Sequence, residues 1–287
     1  MELFQITPTC LIKSFHHYLY HIKFQCMNLS LEGKTAVVCG SSQGIGLAIA
    51  RELALLGANC ILMARKEEAL KTAVYNLDIA LRQQHSYVVA DFSKTEEVKK
   101  SIEDLVMKTP VHILINNTGG PAAGPLTDAT EAALLAAFQQ HLINNQQLAR
   151  AVIPSMKKEG YGRIINIIST SVRIPIPDLG VSNIIRAAVA SWSKTLSNEV
   201  GKYNITVNSV LPGYTKTQRL DSLLEGIAIK NNVDKETLSK KMEQEIPMQR
   251  FGEPGEIAAV AAFLASPAAS YVNGISISVD GGKTGTI

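Results

Sequence analysis

Three things are scarce in this chain of 287 residues. Cysteine is one: Cys10, Cys26, Cys39 and Cys60 are the full set of 4, without CxxC spacing or a secreted framework. They read as free thiols in a reducing compartment, which points to the cytoplasm. An excess of one charge is also missing, since 28 Lys+Arg stand against 25 Asp+Glu, a net +3. That balance speaks against nucleic acid as a partner and against an acidic tail or a disordered chain. The third absence is a long apolar run. Nothing approaches the roughly 18 residues a membrane-crossing helix needs, so no membrane span is expected. What is plentiful is apolar residues, at 46%. A chain of this length and composition makes one large domain, at most two, and buries its core without a disulfide or metal staple.

The first 26 residues, MELFQITPTCLIKSFHHYLYHIKFQC, differ from the rest. They have no charged start followed by an apolar core and a small-residue cleavage site, so a secretory signal is not expected. A transit peptide would carry more Arg and Ser. His17 and His21 are four apart beside His16, a spacing that suits a metal, but no acidic or cysteine partner stands at ligand spacing. No metal site is expected. Residues 1–26 read as an extension outside the fold and 27–287 as the domain. Met27 opens MNLSLEGKTAVV, which also reads as a natural start.

From there apolar runs alternate with amphipathic helices. Strands are expected at Thr35–Cys39, Asn59–Ala64, Tyr87–Ala90, Val111–Ile115, Arg163–Ile168, Thr206–Leu211 and Ile275–Val279. Helices are expected at Ile45–Leu56, Lys66–Arg82, after a Ser93/Glu96 capping box, at Thr130–Lys158, at Leu179–Lys202, and from Pro254 at a first-turn position. This alternation predicts an α/β fold: a single-domain, doubly wound parallel sheet of Rossmann type, covered on both faces. The polar stretch around 217–247 reads as a small helical lid, with a disordered insertion as the alternative.

Between the first strand and first helix lies Gly40-Ser41-Ser42-Gln43-Gly44-Ile45-Gly46. Glycines let a backbone turn sharply and approach a pyrophosphate. The helix start behind them offers unpaired N–H groups and a partial positive charge. In a strand–loop–helix setting this predicts dinucleotide binding.

The spacing GxxxGxG resembles that of the short-chain dehydrogenase/reductase family. Asn116-Asn117-Thr118-Gly119 is similar to its NNAG motif. Ser169, closing GRIINIIS, is similar to its catalytic serine. Leu211-Pro212-Gly213 with Thr217 resembles its PG-x-x-x-T segment, and RFGEPGEIAAVAAFLASPAASYVNG with VDGG resembles its C-terminal signature. The resemblance runs from about Leu29 to Gly282 and is nearest to 3-oxoacyl-acyl-carrier-protein reductases. It implies a nicotinamide cofactor, a carbonyl or alcohol substrate that is a small molecule or acyl-carrier-linked, and a homo-oligomer, tetramer or dimer. It also implies cofactor contacts from Gly40 to Gly46, from Asp91 beside the adenine, from Asn117, Thr118 and Gly119, and from Pro212, Gly213, Thr215 and Thr217.

The same resemblance marks departures. Where the family has its working tyrosine and lysine, this chain has Ser182 and Arg186, in GVSNIIR. The family's helix asparagine corresponds to His141. Of the four catalytic positions, Ser169, His141, Ser182 and Arg186, one keeps the family residue. A serine hydroxyl is a far weaker acid than a phenol, so Ser182 reads as a packing residue. Arg186 can hold ribose hydroxyls but cannot relay a proton. His141 reads either as a structural group or as an acid–base group facing the cleft. Tyr214 is a further phenol nearby, expected to pack on the lid. Trp192 is expected in the core or an interface.

Cofactor choice turns on the end of the second strand. An NAD site places a carboxylate there; here Ala64 stands in that slot and Arg65 follows, which favours NADP over NAD. Two functions stay open. One is an NADP-dependent reductase or dehydrogenase with an atypical catalytic set. The other is a nucleotide-binding sensor or partner subunit without redox turnover.

Overall fold

The computed structural model describes residues 27–286. Expectations for residues 1–26, including the extension and the His16, His17, His21 group, lie outside the described residues.

Seven parallel strands form one sheet: β1 (Thr35–Cys39), β2 (Asn59–Ala64), β3 (Ser86–Val89), β4 (Ile113–Asn116), β5 (Gly162–Ile167), β6 (Ile205–Pro212) and β7 (Ser276–Val279). Their order is β3-β2-β1-β4-β5-β6-β7. The chain winds outward in one direction from β1 and then returns to wind the other way from β4. The crevice between the carboxyl ends of β1 and β4 is the switch point where ligands bind in such sheets. Both faces are covered, as the near-continuous apolar strands require. Ala36 and Val38 of β1 pack with helix α1 (Gly44–Leu55) and helix α9 (Pro254–Ala265). Their neighbours Val37 and Cys39 pack on the other face with α3 (Thr95–Val106) and α5 (Asn144–Glu159). Burial pushes the thiols of Cys39 and Cys60 up to about 12, so both are inert core groups.

Three expectations are corrected. The helix expected at Lys66–Arg82 is α2 (Glu67–Tyr75) and stops early. Asn76 turns its side chain back to donate to the Thr72 carbonyl, and Asp78 accepts from the Ala80 N–H. Such local bonds compete with the helix ladder. The Ser93/Glu96 capping box does not form: α3 starts at Thr95 with Lys94 before it. Asp91 instead accepts the Ser93 N–H at 3.0 Å, and Glu97 reaches back to accept the Asp91 N–H at 3.0 Å. The helix expected at Thr130–Lys158 is broken. It runs as α4 (Glu131–Phe138), a π-helical segment at Gln139–Ile143, and α5. His141 sits in the π segment, a place where an extra residue per turn re-aims side chains.

The chain 217–247, expected as a small helical lid or a disordered insertion, forms two helices, α7 (Gln218–Asn231) and α8 (Lys235–Gln244). Thr217 caps α7 and Asp234 caps α8, each accepting a backbone N–H. Leu220, Leu224, Met242, Ile246 and Phe251 form the lid's own core. Tyr214 packs on that core, edge-on to Phe251 at 6.0 Å, as expected. Trp192 lies half-buried on α6 (Gly180–Val200), packed against two core clusters, with its indole N–H donating to Gln146 at 2.7 Å.

Candidate active site

The glycine turn is built by close approach. Gly40 has φ +60, and a Cβ there would lie 2.2 Å from the Asn117 carbonyl oxygen. A Cβ at Gly46 would lie 2.3 Å from the Gly40 carbonyl oxygen. Only hydrogen fits at either position. Asn117 fastens the turn to the end of β4, its amide donating to the carbonyls of Cys39 and Gly40, both at 3.2 Å. Ser41 is fully buried and spends its hydroxyl on the fold, donating to Val38 O at 2.7 Å and accepting the Met63 N–H at 3.1 Å. Its side chain therefore faces away from any ligand, and only its backbone lines the loop. Ser42 and Ile45 are half-buried and Gln43 is exposed. Helix α1 begins with no side-chain cap and no acidic residue in its first turn. Its first N–H groups and its dipole are thus open to an anion at the switch point, which fits a dinucleotide's phosphates. Thr217 overlooks this loop, its methyl 3.5 Å from where a Gly44 side chain would begin. Thr215 is buried and donates to Gly213 O, so its hydroxyl too is committed.

Arg65 is exposed at the end of β2. Asp91 lies near it. The Ser93 backbone N–H chiefly, and the Arg65 charge less, hold the Asp91 carboxyl below its usual range.

The second group gathers beyond β4 and β5. Ser169 is half-buried, and its hydroxyl oxygen accepts the Ser171 N–H at 3.1 Å. Ser182, buried, and Arg186, 9% exposed, stand one turn apart on α6. The Arg186 guanidinium donates to Ile167 O at 3.1 Å and toward Thr118 O at 3.5 Å. Burial foremost, then the charge of Arg219, pushes its pKa down to about 10, still fully cationic at neutral pH. His141 is 2% exposed. Its Nδ1 lies 2.8 Å from Thr118 Oγ1, and its Nε2 is buried without a partner. Burial, then Arg186 and Arg219, push the imidazole down to about 3. This histidine is neutral at neutral pH. Of the two readings of His141, a structural group or an acid–base group facing the cleft, its burial and its contact with Thr118 favour the structural one, a hydrogen-bonding buttress of the Thr118 loop.

The sequence reading missed Arg219, which belongs here. It lies on the lid's first turn and donates to Gly120 O at 3.1 Å and Pro121 O at 3.2 Å. One signal was available: a cation in the first turn of a helix opposes the dipole and needs a reason.

The fold and this loop define a Rossmann-type domain of the oxidoreductase class. A family model described as Enoyl-(Acyl carrier protein) reductase matches residues 40–284. The NADPH-dependent reductase BacG of Bacillus subtilis is 31% identical, over 88% of this chain and 99% of its own. A 3-oxoacyl-[acyl-carrier-protein] reductase FabG of Chlamydia trachomatis is 33% identical, over 88% of this chain and 98% of its own. The L-sorbose reductase of Gluconobacter frateurii, solved with NADPH and L-sorbose, superposes with a TM-score of 0.85 at 32% identity, covering 91% of this chain and 100% of that one. The chain belongs to the short-chain dehydrogenase/reductase family.

Proposed function

We propose that this protein is an NADPH-dependent reductase of a carbonyl substrate, working with an altered catalytic set. The observation that carries the reading is the uncapped start of α1 behind the Gly40–Gly46 turn, with Arg65 rather than a carboxylate closing β2. The backbone from Gly40 to Gly46, with Asn117 and Thr217, would hold the phosphates. Arg65 would meet the 2′-phosphate, Asp91 the adenine side, and Thr118, Gly119, Arg186, Pro212, Gly213 and Thr215 the nicotinamide half. NADPH, when bound, supplies the hydride.

The chain's own part is electrostatic. The Ser169 oxygen already accepts from Ser171, which leaves its proton free to point at a substrate carbonyl oxygen. Arg186 adds a fixed positive charge where negative charge develops on that oxygen. Neither Arg186 nor neutral His141 can hand over a proton at neutral pH, so the proton comes from water. Ser182 packs and orients. The loss of a positioned phenol costs ~10²–10⁴-fold against a reductase that has one.

A second reading is favoured by the state of His141: the protein binds NADPH and turns nothing over, as a sensor or partner subunit. Two measurements separate the readings. Calorimetric titration of NADPH tests binding, and loss of absorbance at saturating NADPH over a panel of carbonyl compounds, free and acyl-carrier-linked, tests turnover. Binding with turnover supports the reductase; binding with none supports the second reading; no binding overturns both. A cytoplasmic homo-oligomer, tetramer or dimer, belongs to the same proposal, and light scattering of the purified protein tests its size.

A further inference from the structure

We infer that the substrate of this site is an acid: Arg219 and Arg186 form a seat for a carboxylate on the lid side of the nicotinamide position. This rests on the reading of the cleft as a reductase site and names its substrate class.

Two guanidinium groups are brought together with no counter-charge. The Nη2 of Arg219 lies 2.7 Å, and the Nη2 of Arg186 3.4 Å, from the single point where a side chain at Gly120 would begin. Each is held by main-chain carbonyls: Arg186 by Ile167 and Thr118, Arg219 by Gly120 and Pro121. Carbonyl oxygens fix the direction of a guanidinium without cancelling its charge. Among the described residues, no carboxylate lies within 4.0 Å of either group, although ten other lysine and arginine ion pairs of that length form elsewhere. The two cations repel each other, and both lie beside His141, which is neutral and adds no negative charge.

The placement of Arg219 is unfavourable by itself. It is the second residue of α7, where the helix dipole disfavours a cation. Lys216, just before this helix, has Glu253 at 2.6 Å; Arg219 has nothing of the kind. A bound anion removes the dipole penalty, the mutual repulsion and the absent counter-charge together. The guanidinium fork matches a planar carboxylate, and each arginine has N–H groups left over after its carbonyl contacts.

The cofactor's phosphates are the other anions at hand, and the geometry sends them elsewhere. Thr217 faces Gly44 and the open start of α1. Arg219 is two residues on, inside the helix that Thr217 caps. Its guanidinium donates to the Gly120 and Pro121 carbonyls of the loop after β4, beside Arg186. Arg219 is exposed, so an incoming acid reaches it without the fold opening.

The test is calorimetric and needs no turnover. The full chain is saturated with NADP+ and titrated with 2-oxobutanoate, 3-oxobutanoate and 4-oxopentanoate, and with the methyl ester of each. The expected result is that at least one acid binds roughly tenfold or more tighter than its ester, the scale of a charge-assisted hydrogen-bonded contact. Arg219→Gln should erase that preference and leave NADP+ affinity within about twofold. Equal binding of acids and esters by the unmodified protein would overturn the inference. So would a loss of NADP+ affinity in Arg219→Gln as large as the loss for the acid, which would assign the arginine to the cofactor's phosphates. If NADP+ itself fails to bind, it is the reductase reading that falls, and methyl-ester against acid binding to the free protein still decides the seat.

Discussion

Thr118 Oγ1 and His141 Nδ1 lie 2.8 Å apart, and on the proposed match to the family motifs both stand where another residue is expected. That match would put the motif's small apolar residue at 118 and its helix amide at 141. Two departures that look independent in the sequence are one hydrogen bond in the fold. The π-helical segment at Gln139–Ile143 brings the imidazole there, and Gln140 next to it donates to Gly119 O at 3.1 Å. The loop after β4 is thus tied to the helix by side chains that the usual motif lacks.

This pairing predicts energetic coupling. Thr118→Ala should destabilise the protein by about 1–3 kcal/mol by leaving the buried imidazole without a partner, and His141→Asn by about 1 kcal/mol by freeing the half-buried Thr118 hydroxyl. The double variant should lose less than the sum, by ~0.5–1.5 kcal/mol. Urea denaturation of the four proteins measures this. Strict additivity would mean that the contact carries no energy.

The buried imidazole also sets a pH dependence. His141 is held at about 3, against 6.5 when free, and burial lowers His112 as well. Well above pH 6.5, from about pH 7.5 upward, both are neutral in the folded and unfolded chain and contribute almost nothing. As the pH falls below 6.5 the unfolded chain takes up protons that the native state refuses, so stability falls. Stability should decline from pH 7.5 to 5.5, a window above the range in which the lowered carboxyls of Asp91 and Glu256 titrate. His141→Asn should flatten part of that decline and leave the His112 share. An unchanged slope would mean that the native imidazole protonates normally.

How much of this was legible in the sequence follows from period and punctuation. The sheet, its strands and the glycine turn were readable because buried parallel strands are continuous apolar runs, and Gly40, Gly44 and Gly46 stand between one of them and an apolar-periodic helix. The π segment was not readable, because Phe138 to Asn144 keeps helical character on either side of a single extra residue. The early end of α2 was hidden in Asn76 and Asp78, whose side chains bond backward only once the chain has turned. Arg219 was missed because motif spacing stops at Thr217, and its importance comes from Arg186 and Gly120, which lie far off in the chain.

The cofactor preference is open to a direct check. Arg65 is exposed just after β2 and makes no side-chain hydrogen bond or ion pair among the described residues, only a weak field on Asp91, so its replacement should leave the fold intact. NADP+ should bind at least about tenfold more tightly than NAD+, the worth of a charge-assisted contact to a phosphate. Arg65→Ala should weaken NADP+ and leave NAD+ nearly unchanged. Equal affinities in the unmodified protein would refute the preference, and an unchanged NADP+ affinity in the variant would move its source to another residue.

The proposed altered catalytic set makes the sharpest prediction. The unmodified protein should reduce 3-oxoacyl substrates ~10²–10⁴-fold more slowly than a reductase with a positioned phenol, because Ser182 is too weak an acid and Arg186 holds its proton. His141→Asn, Ser182→Tyr and Arg186→Lys together should raise that rate. The three belong together: a tyrosine at 182 needs a lysine one turn on to lower its pKa, and Arg186 is tied to Ile167 and Thr118, the partner of His141. Single changes should gain little, and His141→Asn alone should cost stability through the orphaned Thr118 hydroxyl. Steady-state NADPH oxidation with a 3-oxoacyl thioester, run on the parent, the three singles and the triple, checks the set. An unmodified protein already working at ordinary reductase rates would show that Ser169, Arg186 and water suffice. In that event Arg186→Met should remove most of the activity, because it takes away the buried positive charge that α6 places there and keeps an unbranched apolar stem.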